Sequence, residues 1–159
     1  MESRAKFLGH AIHPIMIVFP LGLLATGVIF DVIYLIWGNL TFATVAYWMF
    51  AAGIIGGLIA APFGWIDWFA IPSGTRAKRI GLIHGLSNIT ALIFFAASFY
   101  LRMDAPAKPE MLASILSFGG AGLAMLGGWL GGELVERLGV GVDDGAHLDA
   151  PSSLSGKKV

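Results

Sequence analysis

The sequence predicts an all-α membrane protein in which four antiparallel transmembrane helices form one bundle. Composition gives the first indication, because 57% of the 159 residues are hydrophobic and 13% are charged. Soluble domains have about 45–50% apolar and about 25% charged residues. Length gives the second, because a helix needs about 20 apolar residues to cross a hydrocarbon layer of roughly 30 Å. Four stretches are long enough: residues 14–37, 42–71, 80–101 and 111–134.

The four stretches are interpreted as helices in chain order. Pro14 opens the first, where a proline costs no hydrogen bond because the first N–H groups of a helix are unpaired. Pro62 lies inside the second and predicts a kink. The connections are short, so consecutive helices are antiparallel neighbours. These helices make one transmembrane domain, residues 1–142, and the polar residues 143–159 predict a flexible tail.

Basic residues predict how the bundle is oriented, because Lys and Arg near the ends of spans are retained in the cytoplasm. Eight lie on the side of the two termini and the second loop, and two lie opposite. The eight are Arg4, Lys6, Arg76, Lys78, Arg79, Arg137, Lys157 and Lys158, and the two are Arg102 and Lys108. Without the distant Lys157 and Lys158 the ratio is still six to two. Both termini are therefore expected to be cytoplasmic.

Charge and cysteine content exclude several classes of protein. Ten Lys and Arg balance ten Asp and Glu, so no basic excess is available for nucleic acid. The absence of cysteine excludes disulfides, thiolate metal sites and cysteine-ligated iron–sulfur clusters. The chain also lacks the Walker A, H-E-x-x-H and G-x-S-x-G motifs. A stand-alone enzyme is not expected.

Small residues repeat every four positions in the second and fourth helices. The two ladders are Gly56, Ala60 and Gly64, and Gly120, Ala124, Gly128 and Gly132. Because lipid gives helices no hydrophobic reason to associate, close backbone approach supplies the packing energy. The pattern predicts that these two helices cross closely. A flat cofactor between helices would need the same room.

The two halves of the chain share a weak internal pattern. Each half reads a histidine, a helical hairpin, a Gly-Trp pair and an acidic residue, with Gly64-Trp65 before Asp67 and Gly128-Trp129 before Glu133. A true repeat would give two hairpins related by an axis along the membrane normal. Chance similarity between Gly-rich apolar helices is the alternative.

Ionisable residues near helix ends predict a polar layer. Each such residue inside a span costs roughly 2.5–3.5 kcal/mol and needs a partner or a function. With the predicted topology, His13, Asp67, His84 and Glu133 come from four helices and lie at one depth near the cytoplasmic boundary. Asp31 lies apart, near the outer end of the first helix, where a hydrogen-bonded or snorkelling carboxylate is expected.

Helical spacing places further polar residues beside this layer. His10 and His13 share one face, as do His84 and Asn88, because residues three or four apart are neighbours on a helix. At a helix N-terminus the dipole disfavours a charged imidazole, which keeps His13 neutral and able to bind a metal. Each residue also has a simpler interpretation. His10 would be solvated, Asp67 would pair with Arg76, Lys78 or Arg79, and Glu133 would pair with Arg137.

Several motifs resemble a bacterial membrane-protein family catalogued as domain of unknown function two-two-three-one. They are Gly9-His10-Ala11-Ile12-His13-Pro14, Lys78-Arg79-Ile80-Gly81-Leu82-Ile83-His84, Gly128-Trp129-Leu130-Gly131-Gly132-Glu133-Leu134 and Gly139-Val140-Gly141-Val142. The resemblance covers roughly residues 5 to 142. It implies a four-helix domain of the bacterial inner membrane with no established activity. Some relatives are joined to a Rieske-type iron–sulfur domain, which implies electron transfer.

The leading functional interpretation is a b-type haem held between histidines and used for electron transfer. His13 or His10 on the first helix and His84 on the third would supply the axial ligands. Asn88, Trp65 and Trp129 would line the site. The lipid bilayer and a membrane or iron–sulfur redox partner are the expected surroundings, and a homo-oligomer is compatible with the sequence.

Two further interpretations remain open. The layer would also suit a divalent metal or proton site of a transporter-like protein, with His10, His13, Asp67, His84 and Glu133 as nitrogen and oxygen ligands. The other is a cofactor-free assembly or scaffold subunit whose polar layer only holds the helices together.

Overall fold

The computed structural model describes residues 1–155, and its architecture confirms the all-α four-helix class. Within that range four helices are long and apolar enough to cross a membrane. They are α1 (Ile12–Trp37), α2 (Leu40–Ala70), α3 (Arg76–Leu101) and α4 (Met111–Gly132), and α4 continues into a π-helical turn, Glu133–Arg137. Lys157 and Lys158 lie outside the described residues.

Capping explains why α2 and α3 begin before their apolar stretches. The Asn39 side chain accepts a hydrogen bond from the Thr41 N–H, and the Thr75 side chain accepts one from the Lys78 N–H. These bonds satisfy helix N–H groups that have no partner within the helix. The charged turn from Arg76 to Arg79 is therefore helical although it is polar. Gly38 closes α1 in the left-handed conformation, with φ 67°.

The N-terminal segment folds back along the end of the bundle. Lys6–Phe7 (β1) pairs antiparallel with His10–Ala11 (β2). The turn between them uses Leu8 and Gly9 at positive φ. The Ile12 N–H then donates to the Ala5 carbonyl at 2.8 Å, which joins this hairpin to the start of α1.

Buried positions follow a two-hairpin repeat. The buried residues of α1 are Pro20, Leu24, Gly27 and Asp31. The residues 71 positions later in the chain are also buried, in α3 or at its C-cap, and they are Ala91, Phe95, Ser98 and Arg102. In α2 and α4 the matching buried pairs are Ala46 and Ala113, Tyr47 and Ser114, Phe50 and Ser117, Gly53 and Gly120, and Ala60 and Gly127. The hairpins α1–α2 and α3–α4 are thus two copies of one packing unit.

The repeat has a different register in α2 and α4 from the one the Gly-Trp pairs predict. Gly64 contacts His13, and its counterpart in contact with His84 is Gly131, not Gly128. Trp129 consequently matches Pro62 and is not equivalent to Trp65. The Gly-Trp similarity was misleading because both helices are rich in glycine, whereas side-chain contacts define the register.

The core lies between the hairpins, and it corrects the prediction that α2 and α4 cross closely. Leu24, Phe50 and Phe95 form its centre, together with Ala46. A Cβ at Gly53 would lie 2.6 Å from the Leu24 side chain, and one at Gly120 would lie 3.0 Å from the Phe95 ring. The small residues of α2 and α4 thus receive side chains of α1 and α3. Each helix packs mainly on its hairpin partner, and α2 and α4 lie on a diagonal.

Candidate functional site

The imidazole rings of His13 and His84 meet across the bundle, one from each hairpin. Their ring centroids are 6.3 Å apart and their planes are nearly perpendicular, at 85°. The His13 Nδ1 lies 3.0 Å from the Ala60 carbonyl oxygen of α2, and the His84 Nδ1 lies 2.8 Å from the Gly127 carbonyl oxygen of α4. The two rings therefore make equivalent hydrogen bonds in the two repeats.

These hydrogen bonds assign the tautomer of both rings. A backbone carbonyl only accepts, so each Nδ1 carries the proton and donates it. In a neutral imidazole the Nε2 atom then keeps a free lone pair. Metal-binding histidines are typically oriented in this way, by an N–H bond to a carbonyl on the side away from the metal.

Glycines make room for the rings on the facing helices. A Cβ at Gly64 would lie 2.9 Å from the His13 Cε1, and one at Gly131 would lie 3.2 Å from the His84 Cε1. Real Cβ atoms essentially never approach to less than 3.0 Å. Gly64 and Gly131 thus seat the two imidazoles against helix backbone.

Asn88 shares a face with His84, as its spacing predicts. Its Nδ2 donates to the His84 carbonyl oxygen at 2.9 Å and lies 3.4 Å from each ring nitrogen. A Cβ at Gly127 would lie 2.5 Å from the Asn88 Oδ1, so this side chain also fills a glycine gap. Asn88 supports the ring from the next helical turn.

The other predicted ligands lie apart from the pair. His10 is exposed in β2, and its Nε2 is 3.3 Å from the Ser153 Oγ. Asp67 accepts hydrogen bonds from the Ser3 hydroxyl at 2.7 Å and the Arg4 N–H at 2.7 Å. Within residues 1–155, no three His, Asp or Glu side chains are grouped closely enough to hold a metal ion.

Asp67 and Glu133 have partners that differ from their simpler interpretations. Asp67 binds the N-terminal segment and makes no ion pair with the basic residues of α3. Glu133 pairs with Arg76 at 2.6 Å, from the start of α3, and not with Arg137. The π-helical turn that begins at Glu133 breaks the spacing on which an i, i+4 pair depends.

The two predicted tryptophans occupy different surroundings. The Trp65 ring packs edge-on against Trp68, with centroids 5.1 Å apart, and lies 3.5 Å from the Cβ position of Gly85. Trp129 is 67% exposed on the outside of the bundle. Trp129 therefore does not line the histidine pair, because it follows the lipid-facing side of α4.

A second polar cluster lies at the opposite end of the bundle and includes Arg102, which follows the third apolar stretch. Arg102, at the C-cap of α3, is fully buried and forms a bidentate ion pair with Asp31 through two 2.7 Å bonds. The Ser117 hydroxyl donates to the same carboxylate at 2.7 Å, and the Arg102 Nε donates to the Ser98 hydroxyl at 3.2 Å. Asp31 inside an apolar helix was the available signal, since a buried carboxylate needs a cation.

Comparison with known proteins identifies the family of the chain. The model of the family described as "Predicted membrane protein (DUF2231)" matches residues 9–144. The chain belongs to the DUF2231 family. No curated protein and no solved structure matches it.

The buried ion pair strengthens the charge asymmetry of this DUF2231 chain. Arg102 is neutralised inside the bundle and no longer counts as an exposed basic residue of its end. Lys108 alone remains there, against Arg4, Lys6, Arg76, Lys78, Arg79 and Arg137 at the end with the termini. With the buried Arg102 left out, the described basic residues are divided six to one between the two ends of the bundle.

The two imidazoles of the DUF2231 chain suit some of the predicted groups better than others. Zinc sites use three or four protein ligands, and only two imidazoles meet. A b-type haem needs two axial ligands. With metal–nitrogen bonds of about 2.0–2.1 Å, two imidazoles on opposite sides of one ion have ring centres about 6 Å apart. The 6.3 Å separation of His13 and His84 fits this arrangement.

Proposed function

We propose that the protein is an electron-transfer protein of the membrane that binds one b-type haem between His13 and His84. The observation that supports this is the pair of rings 6.3 Å apart, each held by an Nδ1–H bond that leaves its Nε2 unprotonated. When bound, the haem would supply a reversible one-electron centre. The five-residue metal site has no comparable support, because its residues are dispersed in the fold.

The residues of the chain would orient the ligands and shield them. The Ala60 and Gly127 carbonyls fix the rotation of the two rings, and Gly64 and Gly131 place helix backbone behind them. α1 and α3 lie on a diagonal of the bundle, so the two helices that carry the ligands make few close backbone contacts with each other. Ion pairs at the helix ends, such as Arg76 with Glu133, close the bundle towards the aqueous side.

An absorption spectrum of the purified protein tests the proposal. Protein produced in haem-replete cells, and apoprotein titrated with haemin, is expected to show a Soret band and a reduced six-coordinate spectrum. His13→Ala and His84→Ala are each expected to abolish the six-coordinate species. His10→Ala and His147→Ala are the matched controls, because both residues are exposed. If the protein neither contains nor takes up haem, and both His13→Ala and His84→Ala are folded, the haem proposal is wrong and the scaffold interpretation remains.

We infer further that the protein is an inner-membrane protein with both termini in the cytoplasm, where it meets a membrane or iron–sulfur redox partner. The exposed basic residues support the orientation. Because the chain has no cysteine, single cysteines at two exposed loop positions, Ser73→Cys and Asp104→Cys, report it. A membrane-impermeant maleimide added to intact cells is expected to label Asp104→Cys only. Labelling of Ser73→Cys alone would reverse the orientation.

A further inference from the structure

The histidine pair and the buried ion pair occupy equivalent positions at the two ends of the same two helices. Asp31 lies 18 residues after His13 on α1, and Arg102 lies 18 residues after His84 at the end of α3. At 1.5 Å per residue the two pairs are about 27 Å apart along the helices. Each pair joins α1 to α3 across the diagonal.

The surroundings of the ion pair follow the repeat as well. Asp31 receives a hydrogen bond from Ser117 of α4, and the Arg102 guanidinium lies over the ring of Phe50 of α2, 5.0 Å from its centre. Phe50 and Ser117 are themselves equivalent positions in the two hairpins. The pair therefore contacts the second helix of both hairpins, and its exposed fraction is zero on both side chains.

A bidentate ion pair limits how one helix can slide along another. Two parallel N–H bonds of 2.7 Å to the two carboxylate oxygens have one good geometry. A slip of one residue would move α3 by about 1.5 Å along α1 and take both bonds out of their good geometry. Apolar side chains do not impose such a constraint, because in lipid they gain little by choosing one neighbour over another.

We infer that Asp31 and Arg102 are positioning residues that fix the position of α1 relative to α3 along the helix axes, and thereby the position of His13 relative to His84. This inference rests on the proposed function, because it assigns to the ion pair the ring spacing on which haem ligation depends. The two helices transmit the constraint since each is continuous between its two polar residues. The ion pair itself touches neither ring.

Cysteine cross-linking measures the register without any cofactor. In the otherwise cysteine-free chain, His13→Cys is combined in turn with His84→Cys and with Asn88→Cys, one turn further along α3. Because α1 and α3 lie on a diagonal, the cross-link is made with a thiol-reactive bifunctional reagent that has a short, rigid spacer. With the ion pair intact, this reagent is expected to join positions 13 and 84 at least tenfold faster than positions 13 and 88. In an Asp31→Leu, Arg102→Met background this preference is expected to fall at least fivefold. The apolar pair is chosen because such replacements often preserve folding.

Charge reversal provides the matched control. Asp31→Arg with Arg102→Asp keeps the same bond type between the same positions and is expected to restore the cross-linking preference. With histidines at 13 and 84, the apolar pair is expected to reduce the six-coordinate fraction of bound haem, and the reversed pair to recover it. An unchanged preference in the apolar background would overturn the positioning role. If the cross-linking preference falls in the apolar background but the protein binds no haem, the positioning role is retained and the proposed function is overturned.

Discussion

The two ends of the bundle use equivalent backbone positions for opposite purposes. At one end, Asp31 and Arg102 satisfy each other, and Ser98 and Ser117 take the remaining bonds. At the other end, His13 and His84 each donate from Nδ1 to a helix carbonyl and keep Nε2 unprotonated. A duplicated hairpin thus carries a closed polar cluster at one boundary and a cluster with spare ligating capacity at the other.

The two ends of the bundle also differ in the chain segments that cover them. At the ion-pair end α1 and α2 are joined by a tight turn at Gly38 and Asn39. At the histidine end the N-terminal segment folds over and is bound by Asp67. The Met1 amine donates to the Gly139 carbonyl at 2.8 Å, so the chain after α4 takes part as well. The unprotonated Nε2 atoms of His13 and His84 therefore lie at the end of the bundle that the N-terminal segment and the chain after α4 cover.

Removing one partner at each end gives the sharpest contrast. Arg102→Ala leaves the Asp31 carboxylate buried without a cation, and we expect a loss of about 3–5 kcal/mol in the free energy of unfolding. His84→Ala strands only neutral groups and is expected to cost about 1–3 kcal/mol. Unfolding by denaturant in detergent micelles measures both. Equal losses in the free energy of unfolding would contradict the view that only the Asp31–Arg102 end depends on a buried ion pair.

Alanine at the glycines behind the rings tests whether the histidine end is as tightly packed as it looks. Gly64→Ala places a Cβ 2.9 Å from the His13 ring, so we expect a loss of about 1–3 kcal/mol. Gly128→Ala is the matched control, because nothing lies within 4 Å of its Cβ position. The control is expected to be neutral or to stabilise the helix by up to about 1 kcal/mol. A stable Gly64→Ala protein would show that the ring has room to move.

The sequence predicts the helices well and the pairing inside the bundle less well, for a physical reason. Apolar length alone defines the four spans, and histidine depth follows from residue count along each helix. Which side chains touch depends on how helices rotate about their axes, and in lipid both sides of a helix are apolar. Arg102 illustrates this. Its position after a span indicates a loop, whereas the structure buries it in an ion pair with Asp31. Asp67 illustrates this too, because its partners come from a segment with no apolar pattern.

The cover at the histidine end is expected to open when Asp67 is removed. Asp67→Ala eliminates the acceptor of the Ser3 hydroxyl and of the Arg4 and Ala5 N–H groups. We expect local opening to become easier by about 1–3 kcal/mol, which corresponds to roughly 5- to 150-fold faster amide exchange at Arg4 and Ala5. Asp104→Ala, in an exposed loop, is the control and is expected to leave this exchange unchanged. Unaltered exchange in Asp67→Ala would mean that the two strands hold the segment without the carboxylate.

The smallest expected effect concerns the ion pairs of Lys6 at the rim of the same cover. Hydrogen bonds to the carboxylates of Asp143 and Glu2 raise the pKa of the Lys6 amine above its ordinary 10.5. A raised pKa means that the folded state favours the charged amine, so its contribution is complete below about pH 10.5 and is lost as the pH rises through the raised value. The side chains are partly exposed, which limits the contribution to at most about 1 kcal/mol. Other groups titrate in this range too, so the informative quantity is the difference in melting temperature between wild type and Lys6→Gln. We expect a small difference at pH 8 that disappears once the pH has passed the raised pKa of Lys6, and a difference that grows with pH would contradict this assignment.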